Sequence, residues 1–511
     1  MARMTAPEGG CAVRMYRQGL GDCFLLAFGA ARGKQKYVMI DCGVLLGTAN
    51  AEANMQAVAK DIRTVTGGHL DALVITHEHW DHVSGFVQAQ QEFEKLDVDQ
   101  LWLAWTENPR NPLARELRER RRMALEGLRS ALTRAGAAPQ HFSHRIQSVS
   151  EFFGEDMGLG ARATTEDALD WAKQQWKNHR YCDPGGTPLS IDGLDNVRFY
   201  VLGPPADPAY IRKSRPSSRG GQVYLDDATS GNLGLYLSAL NAAPAVREPY
   251  QDERRFTPFN EAYHRKDPAH QDVQEISCRY QATDWRKIDA DWTAAAGELA
   301  LKLDAHTNNT SLVLAIELAR DDKVLLFTGD AQVGNWLSWD DVTWSGDFKE
   351  LTTGDLLERT VLYKVGHHGS HNATLREKGL ERMTNGELAA LIPVNRKTAK
   401  TRRWRMPHEP LYERLVEKTL GRIVMADSGL PQATSDAAIE SFLQQCRETE
   451  LYTELDVHPW KPVAAPAPAT RKSAKKKAST TRKTATKKKT APRKRAKKKT
   501  PAPVKKVRRR R

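Results

Sequence analysis

Cysteine is scarce in this chain and follows no recognisable spacing. The 511 residues include six cysteines, and no two of them form a CxxC pair. This distribution argues against a disulfide-rich scaffold and a zinc ribbon, and it is typical of reduced thiols inside the cell. The six are Cys11, Cys23, Cys42, Cys182, Cys278 and Cys446.

Long apolar runs are also missing. No stretch approaches the roughly 18 residues that a membrane-spanning helix needs. The longest apolar stretch near the N-terminus, residues 24–28, is too short for the hydrophobic region of a signal peptide, and Asp22 precedes it. We therefore expect a soluble, cytoplasmic protein that does not contact a membrane. Nothing in the sequence indicates its oligomeric state.

Acidic residues are absent from the C-terminal end. Residues 471–511 contain 22 Lys or Arg and no Asp or Glu, whereas the whole chain has 77 basic and 63 acidic side chains. The preceding 470 residues therefore carry a net charge of −8. After about residue 461 the composition is mainly Ala, Pro, Thr, Lys and Arg, which has almost nothing to bury. We expect a folded domain over residues 1–460 and a disordered basic tail over residues 461–511.

This tail is expected to bind nucleic acid, since its charge would release counterions from a polyanion. Its composition resembles the basic tails of bacterial linker-histone-like proteins. It has no aromatic residue to stack on bases, which argues against single-strand or sequence-specific recognition. Other polyanions, or a role in solubility, are the alternatives. The candidate nucleic-acid-binding residues are Lys475, Lys476, Lys477, Lys487, Lys488, Lys489, Arg493, Lys494, Arg495, Lys497, Lys498, Lys499, Arg508, Arg509, Arg510 and Arg511.

Short apolar runs separated by turns predict a layered α/β core in the folded domain. Residues 23–28 and 37–40 form a predicted hairpin, and residues 51–65 have helical spacing that stops at a Gly-Gly pair. Two insertions interrupt the pattern: a helical one at about residues 110–180, and a polar, irregular one at about residues 206–295. Further strands are predicted at residues 73–75, 101–105, 197–202, 311–318, 324–327, 361–365, 388–394 and 423–425.

The motif HEHWDH, residues 77–82, directly follows one of these strands. Alternate side chains share a side of extended backbone, so His77 and His79 can face one metal ion together. Asp81 and His82, where the chain turns toward a helix, can reach a second ion nearby. Imidazole and carboxylate ligands suit zinc, manganese or iron better than calcium or magnesium.

Five further motifs accompany HEHWDH. They are GLGD (residues 19–22), DCG (41–43), NNTS (308–311), TGD (328–330) and VGHHGS (365–370). With them the chain resembles the metallo-β-lactamase superfamily, and within it the metallohydrolase domain of competence DNA-uptake proteins, over roughly residues 12–430. The resemblance implies a four-layer αββα metallo-β-lactamase fold that holds two divalent metal ions, with zinc expected and manganese or iron as alternatives.

The resemblance also implies roles for the later motifs. Asp330 matches a catalytic carboxylate that bridges the two ions, with an ordinary Gly-Asp turn as the alternative. Of the adjacent histidines, we favour His368 as a metal ligand and His367 as a catalytic contact to substrate; the reverse assignment stays open. His371 is a candidate neighbour of the site or a surface histidine.

Three further residues, Asp41, Asp22 and His306, precede Asp330 in the sequence and are candidates for supporting or completing the site. Asp41 matches an aspartate that holds a ligand histidine in the correct tautomer. Asp22 either supports the site or only forms a turn. Many members supply a third histidine to the first metal, and His306 is the candidate here, although the competence branch shows the Asn-Asn-Ser pattern without it. Without that ligand the first metal site is more open, and occupancy by a single metal is an alternative.

These features predict a metal-dependent hydrolase that uses a metal-bound hydroxide, with Asp81 and Asp330 as catalytic carboxylates. The favoured substrate is a phosphodiester in nucleic acid, which makes the protein a phosphodiesterase or nuclease. Since one fold supports many chemistries, a hydrolase of a small ester, thioester or lactone is an alternative. A DNA-binding, nucleoid-associated protein with a vestigial metal site is another. The expected location is the cytoplasm, with association with the nucleoid.

Overall fold

Seven ranges of the chain are described by the computed structural model: residues 3–30, 34–134, 151–154, 163–213, 291–320, 322–432 and 436–458. The predicted tail, with its candidate nucleic-acid-binding residues, lies outside these ranges, as do residues 214–290 of the second insertion. The five cysteines within the described ranges are free. No helix in these ranges is both long enough and apolar enough to cross a membrane.

The strands of the described residues form two large sheets and one small pair. The first sheet has the order β15-β16-β1-β2-β3-β5-β7-β8, the second has the order β14-β13-β12-β11-β10-β9, and β4 pairs with β6. The strands are β1 (Cys11–Tyr16), β2 (Cys23–Gly29), β3 (Gln35–Cys42), β4 (His69–Leu70), β5 (Ala72–Ile75), β6 (Asp97–Val98), β7 (Leu101–Ala104), β8 (His179–Cys182), β9 (Val197–Gly203), β10 (Val313–Leu318), β11 (Lys323–Phe327), β12 (Thr360–Lys364), β13 (Ala389–Ile392), β14 (Ile423–Met425), β15 (Cys446–Glu448) and β16 (Tyr452–Val457).

Helices connect many of the strands. Three short helices lie within and directly after the HEHWDH segment, and longer helices lie in the first predicted insertion and directly after the second. The helices are α1 (Ala51–Thr66), α2 (Trp80–Val83), α3 (Gly85–Gln88), α4 (Gln90–Phe93), α5 (Pro112–Arg134), α6 (Thr165–Gln175), α7 (Pro208–Ile211), α8 (Asp291–Asn308), α9 (Val333–Ser338), α10 (Thr353–Glu358), α11 (Arg396–Thr401), α12 (Glu409–Thr419) and α13 (Ala437–Leu443).

The two large sheets pack face to face around one apolar core. Aromatic pairs bridge them edge to face: the ring centroids of Phe24 and Phe327 are 5.5 Å apart, and those of Trp102 and Phe199 are 5.1 Å apart. A second cluster joins the outer face of the first sheet to α1 and α6, and a third joins the outer face of the second sheet to α9 and α12. The layers are therefore helices, sheet, sheet and helices, a mixed α/β arrangement consistent with the metallo-β-lactamase fold.

Most of the predicted elements are present, with shifted ends. The predicted hairpin is confirmed as β2 and β3, which pair antiparallel with Leu25 opposite Met39. The predicted first insertion contains α5 and α6, and at its end lies a strand that was not predicted, β8, which pairs with β7 in parallel and extends the first sheet. β8 has only four residues and the sequence HRYC, so it carries too little apolar alternation to be recognised as a strand.

Two glycines let loops of the first sheet lie directly on the backbone of α2. A Cβ at Gly43, just after β3, would approach the carbonyl carbon of Asp81 at 2.3 Å. At Gly21, where φ is 152°, it would approach the Asp81 carbonyl oxygen at 2.7 Å. That oxygen accepts a hydrogen bond from the backbone N–H of Asp22 at 2.9 Å. The GLGD and DCG motifs therefore fix the position of Asp81 through the close approach of backbone to backbone.

Replacing Gly43 with Ala should destabilise the fold. The added methyl group meets backbone rather than a flexible side chain, so the free energy of unfolding should fall by about 2 kcal/mol or more. Thermal unfolding of the purified variant would show this as a lower Tm. Gly386→Ala is the matched control, because a Cβ there meets nothing within 4 Å. Equal melting temperatures for the two variants would contradict the packing argument.

Candidate metal centre

The HEHWDH motif begins just beyond the end of β5 and continues into α2. His79 is extended, with φ −70° and ψ 149°, so His77 and His79 project to the same side. His77 Nε2 and His79 Nδ1 are 3.1 Å apart. Glu78 projects to the other side, where its carboxylate accepts a hydrogen bond from Arg121 Nη2 of α5 at 2.5 Å. The alternation predicted from the sequence therefore directs two imidazoles inward and uses the intervening glutamate to anchor an insertion helix.

Four buried side chains converge beside these two histidines. Asp81 and His82 come from α2, Asp330 follows β11, and His368 follows β12; the four lie close enough that one donor atom of each is within 4.8 Å of the others. His368 Nε2 is 2.8 Å from Asp81 Oδ2, and His82 Nε2 is 3.2 Å from Asp330 Oδ2. This group, whose atoms could hold a metal ion, brings together predicted ligands that are up to 287 residues apart in sequence.

A strained turn decides which of the two adjacent histidines enters the cluster. His367 and His368 have φ values of 44° and 53°, in the left-handed region that L-residues rarely adopt. The turn is held because the His367 N–H donates to Asp330 Oδ1 at 2.9 Å, and His368 Nδ1 lies 2.7 Å from the carbonyl oxygen of Pro393. His368 therefore points into the cluster. His367 lies beside it, with its Nδ1 3.2 Å from Gln332 Nε2.

The carboxylate of Asp41 hydrogen-bonds to Thr76, just before the motif, and to His82, at its end. Asp41 is located in β3, which pairs in parallel with β5, so its carboxylate reaches the chain just beyond β5. Asp41 Oδ1 accepts from the Thr76 N–H at 2.8 Å, and Oδ2 accepts from Thr76 Oγ1 at 2.7 Å. The same Oδ2 is 2.8 Å from His82 Nδ1. This contact turns His82 Nε2 inward, which is the orienting role that the family resemblance implied for Asp41.

Each of three candidate ligand histidines has one ring nitrogen engaged by a protein oxygen, which leaves the other for the cluster. The outward contacts are His77 Nδ1 with Thr76 Oγ1 at 3.1 Å, His82 Nδ1 with Asp41 Oδ2 at 2.8 Å, and His368 Nδ1 with Pro393 O at 2.7 Å. Partners of this kind fix the tautomer and direction of metal-binding histidines. The donor set is therefore arranged as metal ligation requires.

Several inward atoms of the cluster have no hydrogen-bond partner among the described residues. They are His82 Nε2, Asp81 Oδ1 and Asp330 Oδ2. Buried polar atoms are nearly always satisfied, because leaving one unpaired costs roughly 1–3 kcal/mol. A divalent cation would satisfy all three at once, and nitrogen with carboxylate oxygen is a donor set that zinc, manganese and iron accept. The residues present therefore fit a metal ion.

Lys364 is a member of the centre that sequence reasoning missed. It ends β12, is 1% exposed, and its ammonium contacts Asp22 Oδ2 and lies 3.3 Å from Asp330 Oδ1. It also donates to the carbonyl oxygen of Gly329 at 2.7 Å. Asp22 is thus an ion-pair partner within the centre. The single available signal was one lysine in the otherwise apolar strand sequence TVLYK.

The predicted third ligand, His306, does not reach the cluster. Its segment is the last turn of α8 rather than a loop, and its ring is engaged by the backbone of Arg212. Residues two apart on a helix point to nearly opposite sides, so the side that faces the centre carries Asp304. Asp304 Oδ1 is 4.0 Å from His79 Nε2, and neither atom has a hydrogen-bond partner among the described residues. A carboxylate thus lies near the position at which a histidine was expected.

Aromatic side chains from the first insertion cover one side of the centre. The Phe152 ring centroid lies 5.6 Å from that of His79 and 5.8 Å from that of His367, while Phe153 lies 4.9 Å from His79. Trp404 stacks on Phe152 at 5.0 Å with an interplanar angle of 18°. His371, a predicted neighbour of the site, is instead exposed and has its ring 5.9 Å from His408.

Burial and charge shift the pKa values of this centre in opposite directions. Burial lowers the pKa of His79 to about 3 and that of His367 to about 4, so both are neutral near pH 7. Burial also acts on His82, but the carboxylates of Asp330, Asp22, Asp41 and Asp81 outweigh it and raise its pKa. The carboxylates around His82 therefore favour a positive charge at this place. In the metal-free protein a proton on His82 supplies that charge, and a bound metal ion would supply it instead.

The same forces make Asp304 a pH-sensitive group in the metal-free protein. Burial, followed by the charges of Asp330 and Asp81, raises its pKa to about 8. An unfolded aspartate titrates near pH 4, so the stability linked to this proton is present below about pH 4 and is lost as the pH rises to about 8.

Replacing Asp304 with Asn, which cannot ionise, should remove this loss. For chelator-treated protein, the Tm of Asp304→Asn relative to the unaltered protein should increase between pH 4 and pH 8.5. Asp347→Asn, at an exposed carboxylate, is the control and should show a flat difference. A flat profile for Asp304→Asn would show that this carboxyl group is not buried in the described way.

One comparison with known proteins bears on this centre. Residues 16–96 match the family model of the metallo-beta-lactamase superfamily. The matched segment includes Asp22, Asp41 and the whole HEHWDH motif, while Asp330 and His368 lie beyond it. No curated protein matches the chain. Residues 16–96 thus form a metallo-beta-lactamase superfamily segment, and the hydrolases of that superfamily suggest a metal-dependent hydrolase here.

Proposed function

We propose that this protein is a metal-dependent phosphodiesterase that cleaves nucleic acid. The observation that carries the proposal is the buried group of Asp81, His82, Asp330 and His368. Three of its inward atoms, Asp81 Oδ1, His82 Nε2 and Asp330 Oδ2, have no hydrogen-bond partner among the described residues, while the outward ring nitrogens of His82 and His368 are held. The motif likeness to competence DNA-uptake proteins and the 22 positive charges of residues 471–511 support a nucleic-acid substrate.

Two sets of ligands are available for divalent ions, with zinc as the proposed metal. His77 Nε2 and His79 Nδ1 would hold one ion, and Asp81, His82 and His368 would hold the other. Asp330 would be shared by the two sets, as the motif likeness implies, and would offer Oδ2, because its Oδ1 is occupied by Lys364 and the His367 N–H. When bound, such ions activate a water molecule and stabilise negative charge on the attacked group.

The chain's own residues prepare one donor for the substrate. The amide nitrogen of Gln332 can only donate, so His367 Nδ1 must accept, and the proton of the neutral ring is then on Nε2. Gln332 is oriented in turn because its Oε1 accepts from Asn372 Nδ2 at 2.7 Å, and Asn372 Oδ1 accepts from Ser370 Oγ at 2.8 Å. His367 Nε2 has no partner among the described residues. It is therefore positioned to donate a hydrogen bond to a phosphate oxygen.

Replacing Asp81 or Asp330 with Ala should abolish metal-dependent phosphodiester cleavage. Metal ions supply several kcal/mol of charge stabilisation, so the loss in kcat/KM should be about 100-fold or more. Rates on plasmid DNA, single-stranded DNA, RNA and a chromogenic phosphodiester, together with the metal content of each preparation, would test this. Asp347→Ala, at an exposed position, is the control. Undiminished cleavage by a clean Asp81→Ala/Asp330→Ala double variant would refute the assignment.

Aromatic residues beside the centre support one alternative class of substrate, small esters, thioesters or lactones. The aromatic side formed by Phe152, Phe153 and Trp404 suits an apolar acyl group as well as a base or sugar. The same assays should therefore include a chromogenic ester, a thioester and a lactone. Faster turnover of these than of every phosphodiester would replace the nuclease proposal with the small-molecule hydrolase.

Removal of residues 462–511 should separate catalysis from binding. A nuclease that uses the tail for attachment should show a higher KM for polynucleotides and a weaker salt dependence, with kcat retained. Turnover of the small chromogenic phosphodiester, which is too short to engage the tail, is the internal control. If the full-length protein turns over none of the substrates and the truncation abolishes its DNA binding, the alternative of a nucleoid-associated protein with a vestigial centre is favoured.

A further inference from the structure

A second concentration of positive charge lies within the folded domain. Between Glu387 and Glu409 the chain has no acidic residue, although residues 1–470 as a whole carry more acidic than basic side chains. We call the basic residues of this stretch the basic rim. They are Arg396, Lys397, Lys400, Arg402, Arg403 and Arg405.

Local structure turns much of the rim toward solvent. α11 begins at the cap residue Asn395, whose side chain accepts from the Thr398 N–H at 3.0 Å, and the helix packs inward through Ala399, which is 1% exposed. Lys397 and Lys400 are consequently on its exposed side. The Trp404 N–H then donates to the Ala399 carbonyl at 2.8 Å and closes the turn that presents Arg403.

Both ends of the rim are connected to the metal centre. Pro393, three residues before the rim, accepts the hydrogen bond that orients His368. Trp404, within the rim, stacks on Phe152, which in turn contacts the rings of His79 and His367. The segment that carries the positive charges is therefore joined to the metal centre through Pro393 on one side and through Trp404 on the other.

Three of the rim charges have no ion-pair partner among the residues that the structure describes. Arg396 pairs with Asp427 and Arg402 pairs with Glu151, each at 2.9 Å. Lys397, Lys400 and Arg403, in contrast, are exposed and have no carboxylate within 4.0 Å among the described residues. Unpaired, exposed cations on one short segment create a positive potential that attracts polyanions.

We infer that the basic rim binds the phosphate backbone of a nucleic-acid strand and directs one phosphodiester toward the metal centre. The inference rests on the proposed phosphodiesterase function and adds a substrate-positioning surface that is separate from the tail. A polynucleotide is the partner that these charges fit, because it extends beyond the centre and repeats its negative charge along its length. A small phosphodiester is too short to contact the basic rim and the metal centre at the same time.

The test compares two triple variants of the full chain. Lys397→Ala/Lys400→Ala/Arg403→Ala removes the unpaired rim charges, and Lys60→Ala/Lys177→Ala/Arg180→Ala removes three exposed charges elsewhere. For the rim variant, the ratio of kcat/KM on an oligonucleotide to kcat/KM on a chromogenic phosphodiester should fall about tenfold, and the slope of log KM against log salt should flatten by roughly 2 units. For the control variant, the same ratio should change by less than about twofold, and the slope of log KM against log salt should stay close to that of the unaltered protein. Equal effects of the two variants would overturn the inference.

Cross-linking makes the result independent of turnover. A photoreactive oligonucleotide bound to the full-length protein should label peptides from residues 396–405 in addition to the tail, and this labelling should be lost in the rim variant. Labelling of the tail alone would overturn the inference, even if the protein cleaves DNA. Rim labelling by a protein that cleaves no phosphodiester would instead support the rim as a nucleic-acid surface and refute the proposed phosphodiesterase.

Discussion

The carboxylate of Asp41 hydrogen-bonds to both ends of the segment that carries the metal-binding motif. Its contacts with Thr76 fix where the chain leaves β5, and its contact with His82 fixes the ring that closes the motif. This arrangement is possible because β3 and β5 are parallel neighbours, so that their ends meet at one edge of the sheet. With both ends held, His77, His79 and Asp81 have little freedom to point anywhere but inward.

Charge balance is the second constraint on the centre. Asp22, Asp81 and Asp330 are buried close together, and Lys364 is a permanent cation placed among them. One ammonium does not balance three carboxylates, and the raised pKa of His82 reflects the remaining negative charge. A divalent cation would supply that charge where the unpartnered atoms lie. The strained turn at His367 and His368 is tolerated because it completes the same group.

The predicted insertions contribute more to the centre than their polar sequences indicated. The first supplies Phe152 beside His79 and Arg121 against Glu78, and α8, which follows the second, places Asp304 near His79. The two core sheets thus build the ligands, whereas the inserted segments decide what surrounds them. The surroundings of the centre are therefore built in part by residues that lie outside the segment matching the superfamily model.

The sequence by itself determined the α/β class, most strands and the inward direction of His77 and His79, because these follow from local apolar patterning and from the alternation of extended backbone. Local patterning could not show the pairing of β16 with β1, since those strands are more than 400 residues apart. Nor could it show that His368, and not His367, points into the buried cluster, or that Asp304, and not His306, lies on the side of its helix that faces the centre. Those outcomes depend on a strained turn and on a helix reaching Asn308, and only tertiary packing decides which side of each element meets the centre.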